Sequence, residues 1–164
     1  IPLLLVAIPG QVRFLAKSSL FSIPFLGWAM RSMGFIPVDR ENRRTAIKSF
    51  EEAAARIRAG RSVLLFPEET RTSDGSLLPF QRGGFLLALK TGLPIVPVGV
   101  RGTRDVQPKG SVAIRPGKVE VSYGAPISAA DYGIRRKAEL TVEVRRRVAE
   151  LAGLVVGSEH GNRS

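Results

Sequence analysis

Apolar positions along this chain fall into short unbroken runs separated by amphipathic stretches, and that alternation predicts an α/β protein. Val63-Leu64-Leu65-Phe66 carries no polar break; Pro67 stops it, and Glu68, Glu69, Thr70 and Arg71 follow at once. A run this short, bounded by turn residues, predicts a strand buried on both faces. Residues 12–17 (VRFLAK) and 34–40 (GFIPVDR) are predicted as two further strands, each ending in charge, with Ser18 or Ser19 capping a short helix after the first. Between the second and third strands, Ala46, Ile47, Phe50, Ala54 and Ile57 line one helical face. Asn42 stands at the cap and Gly60 just past the end. Strand, helix, strand within about 30 residues is the βαβ unit of a parallel sheet.

The second half continues in the same manner. Residues 72–79 read as a loop around Ser73-Asp74-Gly75-Ser76. Residues 85–90 are apolar on nearly every side and predict a buried helix, closed by Thr91-Gly92-Leu93-Pro94. Residues 94–100 form a buried strand ending at Arg101, with Pro94 and Pro97 arguing for an edge or a bulge. KVEVSY at 118–123 alternates and predicts a half-exposed strand. Leu140, Val144, Val148 and Leu151 make the seam of a last helix over about 137–151, stopped by Gly153. The expected architecture is one α/β domain over 1–153, a mainly parallel mixed sheet flanked by helices, with a disordered tail at 154–164.

Two stretches resist this scheme. The opening IPLLLVAIP suits a buried helical turn or a strand; it is too short to span a bilayer and lacks the basic front of a signal peptide. From Leu20 to Met33 the chain reads LFSIPFLGWAMRSM, with Arg31 its only charge, and Pro24 and Gly27 prevent one long helix. Its large side chains fit either core packing, which periodicity alone favours, or an interfacial surface, since exposed Trp and Phe beside basic residues suit a membrane boundary.

Composition adds one strong fact. Across 164 residues, 25 Lys+Arg against 14 Asp+Glu give a net charge of +11, which draws a protein toward polyanions: nucleic acid, an anionic membrane surface or phosphorylated substrates. With no cysteine, disulfides and thiolate metal sites are excluded, and no metal is expected. In the predicted sheet Lys17, Arg40 and Arg101 each end a strand, and Glu68 and Arg71 follow another. Gathered on one rim, these cations would form a phosphate pocket, to which backbone N–H groups at Gly83-Gly84 would add. Singly, each has a plainer reading: Lys17 and Arg40 as solvated strand ends, Arg71 as the ion-pair partner of Glu68 or Glu69. Neither a Walker loop nor GxGxxG is present, so nucleotide chemistry has no motif behind it.

The block FPEETRT at 66–72 resembles the FPEGTRS-type block of the 1-acylglycerol-3-phosphate acyltransferases. Other blocks of that family follow the same order: Lys17 through Gly27 to Gly34 and Arg40, then Pro79-Phe80-Gln81-Arg82-Gly83, then Gly92-Leu93-Pro94-Ile95-Val96-Pro97-Val98. The resemblance covers roughly residues 1 to 127 and rests on several blocks in register. It implies a glycerolipid acyltransferase-like fold and transfer of an acyl chain from acyl-CoA or acyl-carrier protein to lysophosphatidic acid. The product is phosphatidic acid, made at the cytoplasmic face of the membrane. The acyl donor is a co-substrate, and no cofactor is expected. Arg71 would hold the acceptor's phosphate with Lys17 and Arg40 assisting. Glu68 would contact the glycerol or order the site, Thr70 and Arg82 stand in the matching blocks, and Gly83 with its helix would shape the pocket. Oligomeric state is not implied.

Two departures stand out. Glu69 occupies a position where the family block has Gly, which changes the turn and adds negative charge beside a phosphate site. The family's catalytic pair is a His-x4-Asp, a general base and the carboxylate that orients it; the one histidine here, His160, stands in the polar tail without such a partner. The pair is therefore expected upstream of Ile1, with no catalytic residue in these 164. Against this stands a non-catalytic phospholipid- or nucleic-acid-binding basic α/β module; no basic recognition helix or aromatic-interleaved basic strand supports nucleic acid. The chain by itself is expected to transfer no acyl group: an assay of lysophosphatidic acid turnover checks this, and turnover by these residues alone would overturn it.

Overall fold

The computed structural model describes residues 8, 12–38, 43–60, 62–70, 72, 74–108, 110–111 and 113–154, without the side chains of 43–47 and 56. The chain is α/β and divides into two compact units, residues 1–66 and 67–164.

The first unit runs β1 (Val12–Lys17), a 3-10 turn (Ser18–Ser22), α1 (Leu26–Ser32), β2 (Ile36–Val38), α2 (Arg43–Arg58) and β3 (Ser62–Leu64). Its sheet has the order β2-β1-β3 and is parallel throughout, with Leu15 opposite Ile36 and Phe14 opposite Leu64. Each crossover carries a helix, which is what parallel neighbours require. The central strand places Val12, Phe14 and Leu15 in the core, and Ile36 of β2 joins them. The Phe14 ring lies 5.0 Å from that of Phe35 and 6.2 Å from that of Phe66. On α2, Ala54 is buried with Phe50 and Ile57 half-buried, and Gly60 takes φ 82 beyond the helix end. The expected face therefore holds where it is described; Asn42 and the Ala46 and Ile47 side chains lie outside the described residues.

Three expectations change in this unit. The expected strand over 62–66 pairs only to Leu64, and Val63 and Leu64 are half-buried, not enclosed; among the described residues β3 pairs with β1 alone. Neither Ser18 nor Ser19 caps: Lys17 takes the N-cap place of the 3-10 turn, without a side-chain capping bond. The stretch 20–33 is only partly core. Phe21 and Met30 are buried, while Phe25 is 88% and Trp28 73% exposed.

The second unit contains α3 (Gly83–Thr91), β4 (Val98–Arg101), a short α4 (Thr103–Val106), β5 (Glu120–Tyr123), a 3-10 turn (Ile134–Arg136) and α5 (Lys137–Leu151). β4 and β5 pair antiparallel, Val98 opposite Tyr123 and Arg101 opposite Glu120. Pro94 and Pro97 keep the preceding residues out of the ladder, since proline has no N–H to donate. Only an isolated bridge, Ile95 to Ile127, forms there, and Gly124 N–H donates to the Pro97 carbonyl at 2.9 Å. α4 has one turn, too short to leave a periodic signal in sequence. The core joins Phe80, Phe85, Ala129, Leu140 and Val144, so the predicted seam of α5 is the one buried. Gly92 ends α3 in the left-handed conformation, as its sequence position predicts.

Arg101 corrects a further expectation. β4 belongs to the two-stranded antiparallel ladder and not to the parallel sheet that carries Lys17, and the Arg101 Nε donates to the Leu151 carbonyl at 3.3 Å. Arg101 thus ties β4 to the end of α5. The contact depends on Gly99: a Cβ there would lie 2.6 Å from the Leu151 carbonyl carbon and 2.7 Å from the Ala152 nitrogen. Both are backbone atoms that cannot yield without moving the helix. Gly99→Ala should cost about 2–3 kcal/mol, the scale of an overpacked core, measured as a lowered denaturation midpoint; an unchanged midpoint would mean that α5 does not rest on β4 this closely.

Candidate functional site

The polar block after β3 is held by its neighbours in the second unit. The Gln81 N–H donates to the Pro67 carbonyl at 2.8 Å, and the Leu78 N–H donates to the Glu68 carboxylate at 2.9 Å. From α5, the Arg145 guanidinium donates to the Leu77 carbonyl at 2.9 Å and the Leu78 carbonyl at 3.2 Å. Glu68 and Arg145 therefore grip opposite sides of the same peptide segment. Both groups are ionic partners of neutral backbone, the stronger kind of hydrogen bond, and both are only partly exposed.

Glu69 follows at φ 61, in the region that favours glycine. The turn is kept with a glutamate in it: the tethers at Pro67 and Glu68 on one side hold the backbone in a conformation that costs an L-residue about 1–2 kcal/mol. The substitution adds a carboxylate at an exposed position without redirecting the chain. Further along, Asp74 accepts from the Ser76 N–H at 3.0 Å and the Ser76 hydroxyl at 2.8 Å, an Asx turn. The Ser76 backbone N–H, then its hydroxyl, hold the Asp74 carboxyl below its ordinary range. Arg104 of α4 donates to the Asp74 carbonyl at 2.8 Å, so this loop too is fastened.

Residues 79–83 then enter a cavity of about 510 Å³, whose lining includes Phe80, Arg82, Gly83, Thr141 and Arg145. Arg82 is the N-cap residue of α3 and Gly83 its first helical position; no acidic residue stands in the first turn. The positive end of the helix dipole is thus left uncompensated by its own residues, beside an arginine. A Cβ on Gly83 would meet nothing within 4 Å, so the space over the helix start is open. Phe80 and Val142, the Arg82 side chain and a helix start make a place that suits a group with an anionic end and an apolar remainder, while Arg145 is engaged by the Leu77 and Leu78 carbonyls.

The sequence-predicted residues distribute as follows. Lys17 is exposed at the end of β1 in the first unit, while Glu68, Thr70, Arg82 and Gly83 belong to the second. Arg82 and Gly83 line the cavity together, and Glu68 fastens the segment that leads into it. Thr70 is exposed. Arg40 and Arg71 lie outside the described residues. Among the described residues no group of three or more His, Cys, Asp or Glu side chains could hold a metal ion. Sequence reasoning did not single out Arg145. Its place next to Val144 on the seam was the available signal. Arg146 and Arg147 do face outward, and both bind Glu143. Those two hydrogen bonds, the one from Arg146 first, hold the Glu143 carboxyl down to about 2.

A family model described as Acyltransferase matches residues 1–101. The chain belongs to the acyltransferase family. Among the curated relatives of this acyltransferase chain is the chloroplastic 1-acyl-sn-glycerol-3-phosphate acyltransferase BAT2 of Brassica napus. It is 39% identical, over 92% of this chain and 43% of that protein. The 1-acyl-sn-glycerol-3-phosphate acyltransferase of Pseudomonas aeruginosa is 34% identical over 82% of this chain and 52% of that one. Among solved structures, the 1-acyl-sn-glycerophosphate (LPA) acyltransferase PlsC of Thermotoga maritima superposes with a TM-score of 0.73 at 30% identity, over 95% of this chain and 63% of that one. The chain spans about half the length of the curated relatives it matches. The family resemblance drawn from the FPEETRT block is thereby established, and with it the α/β acyltransferase fold.

Because Glu69 holds a left-handed conformation, Glu69→Gly should leave stability unchanged or raise it by up to about 1 kcal/mol, the relieved strain being partly offset by the freer unfolded chain. Glu69→Ile should lower stability by a similar amount. Urea unfolding of both variants checks this, and the opposite order would show that residue 69 is not held at positive φ.

Proposed function

We propose that this chain is the acceptor-binding part of a 1-acylglycerol-3-phosphate acyltransferase. In this reading an acyl group passes from acyl-CoA or acyl-carrier protein to the free hydroxyl of lysophosphatidic acid, giving phosphatidic acid for phospholipid synthesis. The observation that carries it is the FPEETRT block itself. It falls within the stretch matched by the family model, and Glu69 takes φ 61 at the place where the resembled block has glycine. The relatives whose names specify this reaction support the same assignment.

In the second unit, Glu68 acts as the fastening group for the block, and Arg71, beside Thr70, is the phosphate anchor. An arginine suits that part because its planar fork matches two phosphate oxygens at once. Arg82, Gly83 and the start of α3 shape the cavity, with Arg82 adding positive charge toward an anion. Lys17 and Arg40 of the first unit keep the assisting part that the family blocks imply. Acyl transfer needs a general base for the acceptor hydroxyl. No histidine stands among the described residues, and His160 is the chain's one histidine, so the described residues bind and position acceptor and do not take its proton.

A lipid substrate and a net charge of +11 together favour work at an anionic membrane surface, on its cytoplasmic face. Among the described residues no helix is long and apolar enough to cross a membrane. The alternative of a nucleic-acid-binding module gains nothing from the fold, in which the Arg145-Arg146-Arg147 cluster is spent on backbone carbonyls and Glu143.

The test is binding of a short-chain, monomeric 1-acylglycerol-3-phosphate beside the same 1-acylglycerol without its phosphate. The phosphate should strengthen binding, and Arg71→Ala should remove about tenfold to a hundredfold of that gain, the worth of a charge-assisted bidentate contact. Equal binding of the two ligands would overturn the reading.

A further inference from the structure

We propose that Phe25 and Trp28 form a preformed wedge by which the first unit inserts into the interface of an anionic phospholipid bilayer. The choice of a lipid surface as occupant rests on the reading of this chain as an enzyme of lipid substrates; the shape of the wedge does not.

The patch is concentrated. Leu20, Ile23, Phe25, Leu26, Trp28 and Met33 are all large, apolar and exposed, Phe25 at 88% and Trp28 at 73%. Scattered exposed apolar residues need no explanation, but this concentration within residues 20–33, led by two aromatic rings, marks an interaction surface.

It is also built rigidly. α1 turns Gly27 and Met30 inward, and Gly27 is seated so closely that a Cβ would strike the Phe21 carbonyl. With Gly27 and Met30 taking the inner side, Trp28 is left facing out. An amphipathic helix of a globular protein points its largest apolar groups at the core; α1 places its smallest residue there and its largest outside. The entry to the helix is more unusual still. Phe25 has φ 61 and ψ −50, and the Leu26 N–H donates to the Pro24 carbonyl at 2.7 Å. That is a γ-turn with positive φ at its centre, a rare and strained form, at a phenylalanine whose ring touches little of its own protein. Strain kept at an exposed aromatic residue has no packing return, and such strain gathers at binding sites.

Charge selects the partner. From residue 12 to 38 there is no Asp or Glu, while the exposed Lys17 and Arg31 stand in the same stretch. Arg31 in the last turn of α1 lies over the Phe21 ring, 5.8 Å from its centroid. Tryptophan and phenylalanine with flanking cations and no acids fit the headgroup layer of anionic lipid, where an indole sits with its apolar body in and its N–H toward water. The wedge would hold the parallel sheet of the first unit against the surface from which a lysophospholipid is drawn.

Trp28 is the chain's one tryptophan, so its fluorescence reports the patch alone. The full chain is mixed with phosphatidylcholine vesicles, with and without phosphatidylglycerol, and no lysophosphatidic acid is present, so the outcome does not depend on acceptor binding. On anionic vesicles the Trp28 emission should shift to the blue and be quenched by lipids brominated in the acyl chain; pure phosphatidylcholine should bind less. Phe25→Gly should weaken partitioning about tenfold, the scale of one lost buried ring, while its melting temperature stays level or rises, because glycine relieves the γ-turn. A purely structural Phe25 would give the reverse: partitioning unchanged and a lower melting temperature. Vesicle binding that leaves Trp28 emission unaltered would overturn the proposal. So would a blue, quencher-shielded Trp28 in lipid-free solution, whether another segment or a second copy covers it.

Discussion

The candidate site depends on one peptide segment held from both sides. The Glu68 carboxylate takes the Leu78 N–H, and the Arg145 guanidinium takes the Leu77 and Leu78 carbonyls. Through that clamp the position of the last helix is passed to the polar block, over sequence separations of 67 and 68 residues. A loop carrying ligand-binding residues is ordinarily mobile; here it is pinned by charge-assisted hydrogen bonds that neither partner could replace with water at no cost. The Gln81 to Pro67 bond adds a second fastening at the neck of the loop. Phe80, buried between these tethers, sets the register in which Arg82 and Gly83 reach the cavity.

The same logic explains why a glutamate is tolerated where family members have glycine. A free turn would relax away from positive φ at Glu69; one fixed at residues 67 and 68 has no such freedom. The stability cost is local and modest. What it changes is the electrostatics beside the expected phosphate anchor, since the carboxylate stands two residues from Arg71.

The two units use strain and small residues differently. In the second, Gly99 and Gly92 permit close approach and chain reversal that serve packing. In the first, Gly27 draws α1 inward while Phe25 is held out on a strained turn, so that packing is given up to expose an aromatic pair. Under the proposed wedge, the net charge of +11 and the exposed aromatic pair would act together, the one attracting the chain to an anionic lipid layer and the other retaining it there.

Much of this was legible in the sequence, for identifiable reasons. The strand over 12–17 and the helix over 137–151 carry strong periodic or continuous apolar signals. Gly60, Gly92 and Gly153 mark helix ends, and FPEETRT with its companion blocks marks the family. Local chemistry decides these features, so local sequence reveals them. The length of β3, the antiparallel pairing that takes Arg101 away from the parallel sheet, and the inward turn of Arg145 were not legible. Each is settled by what a distant segment presents: one neighbouring strand for β3, the carbonyl of Leu151 for Arg101, those of Leu77 and Leu78 for Arg145. The exposure of Phe25 and Trp28 falls in the same class. Periodicity favours core packing for residues 20–33 over an interface, and apolar side chains look alike in sequence whether they face inward or out. Only the seating of Gly27 against Phe21 fixes which way α1 turns.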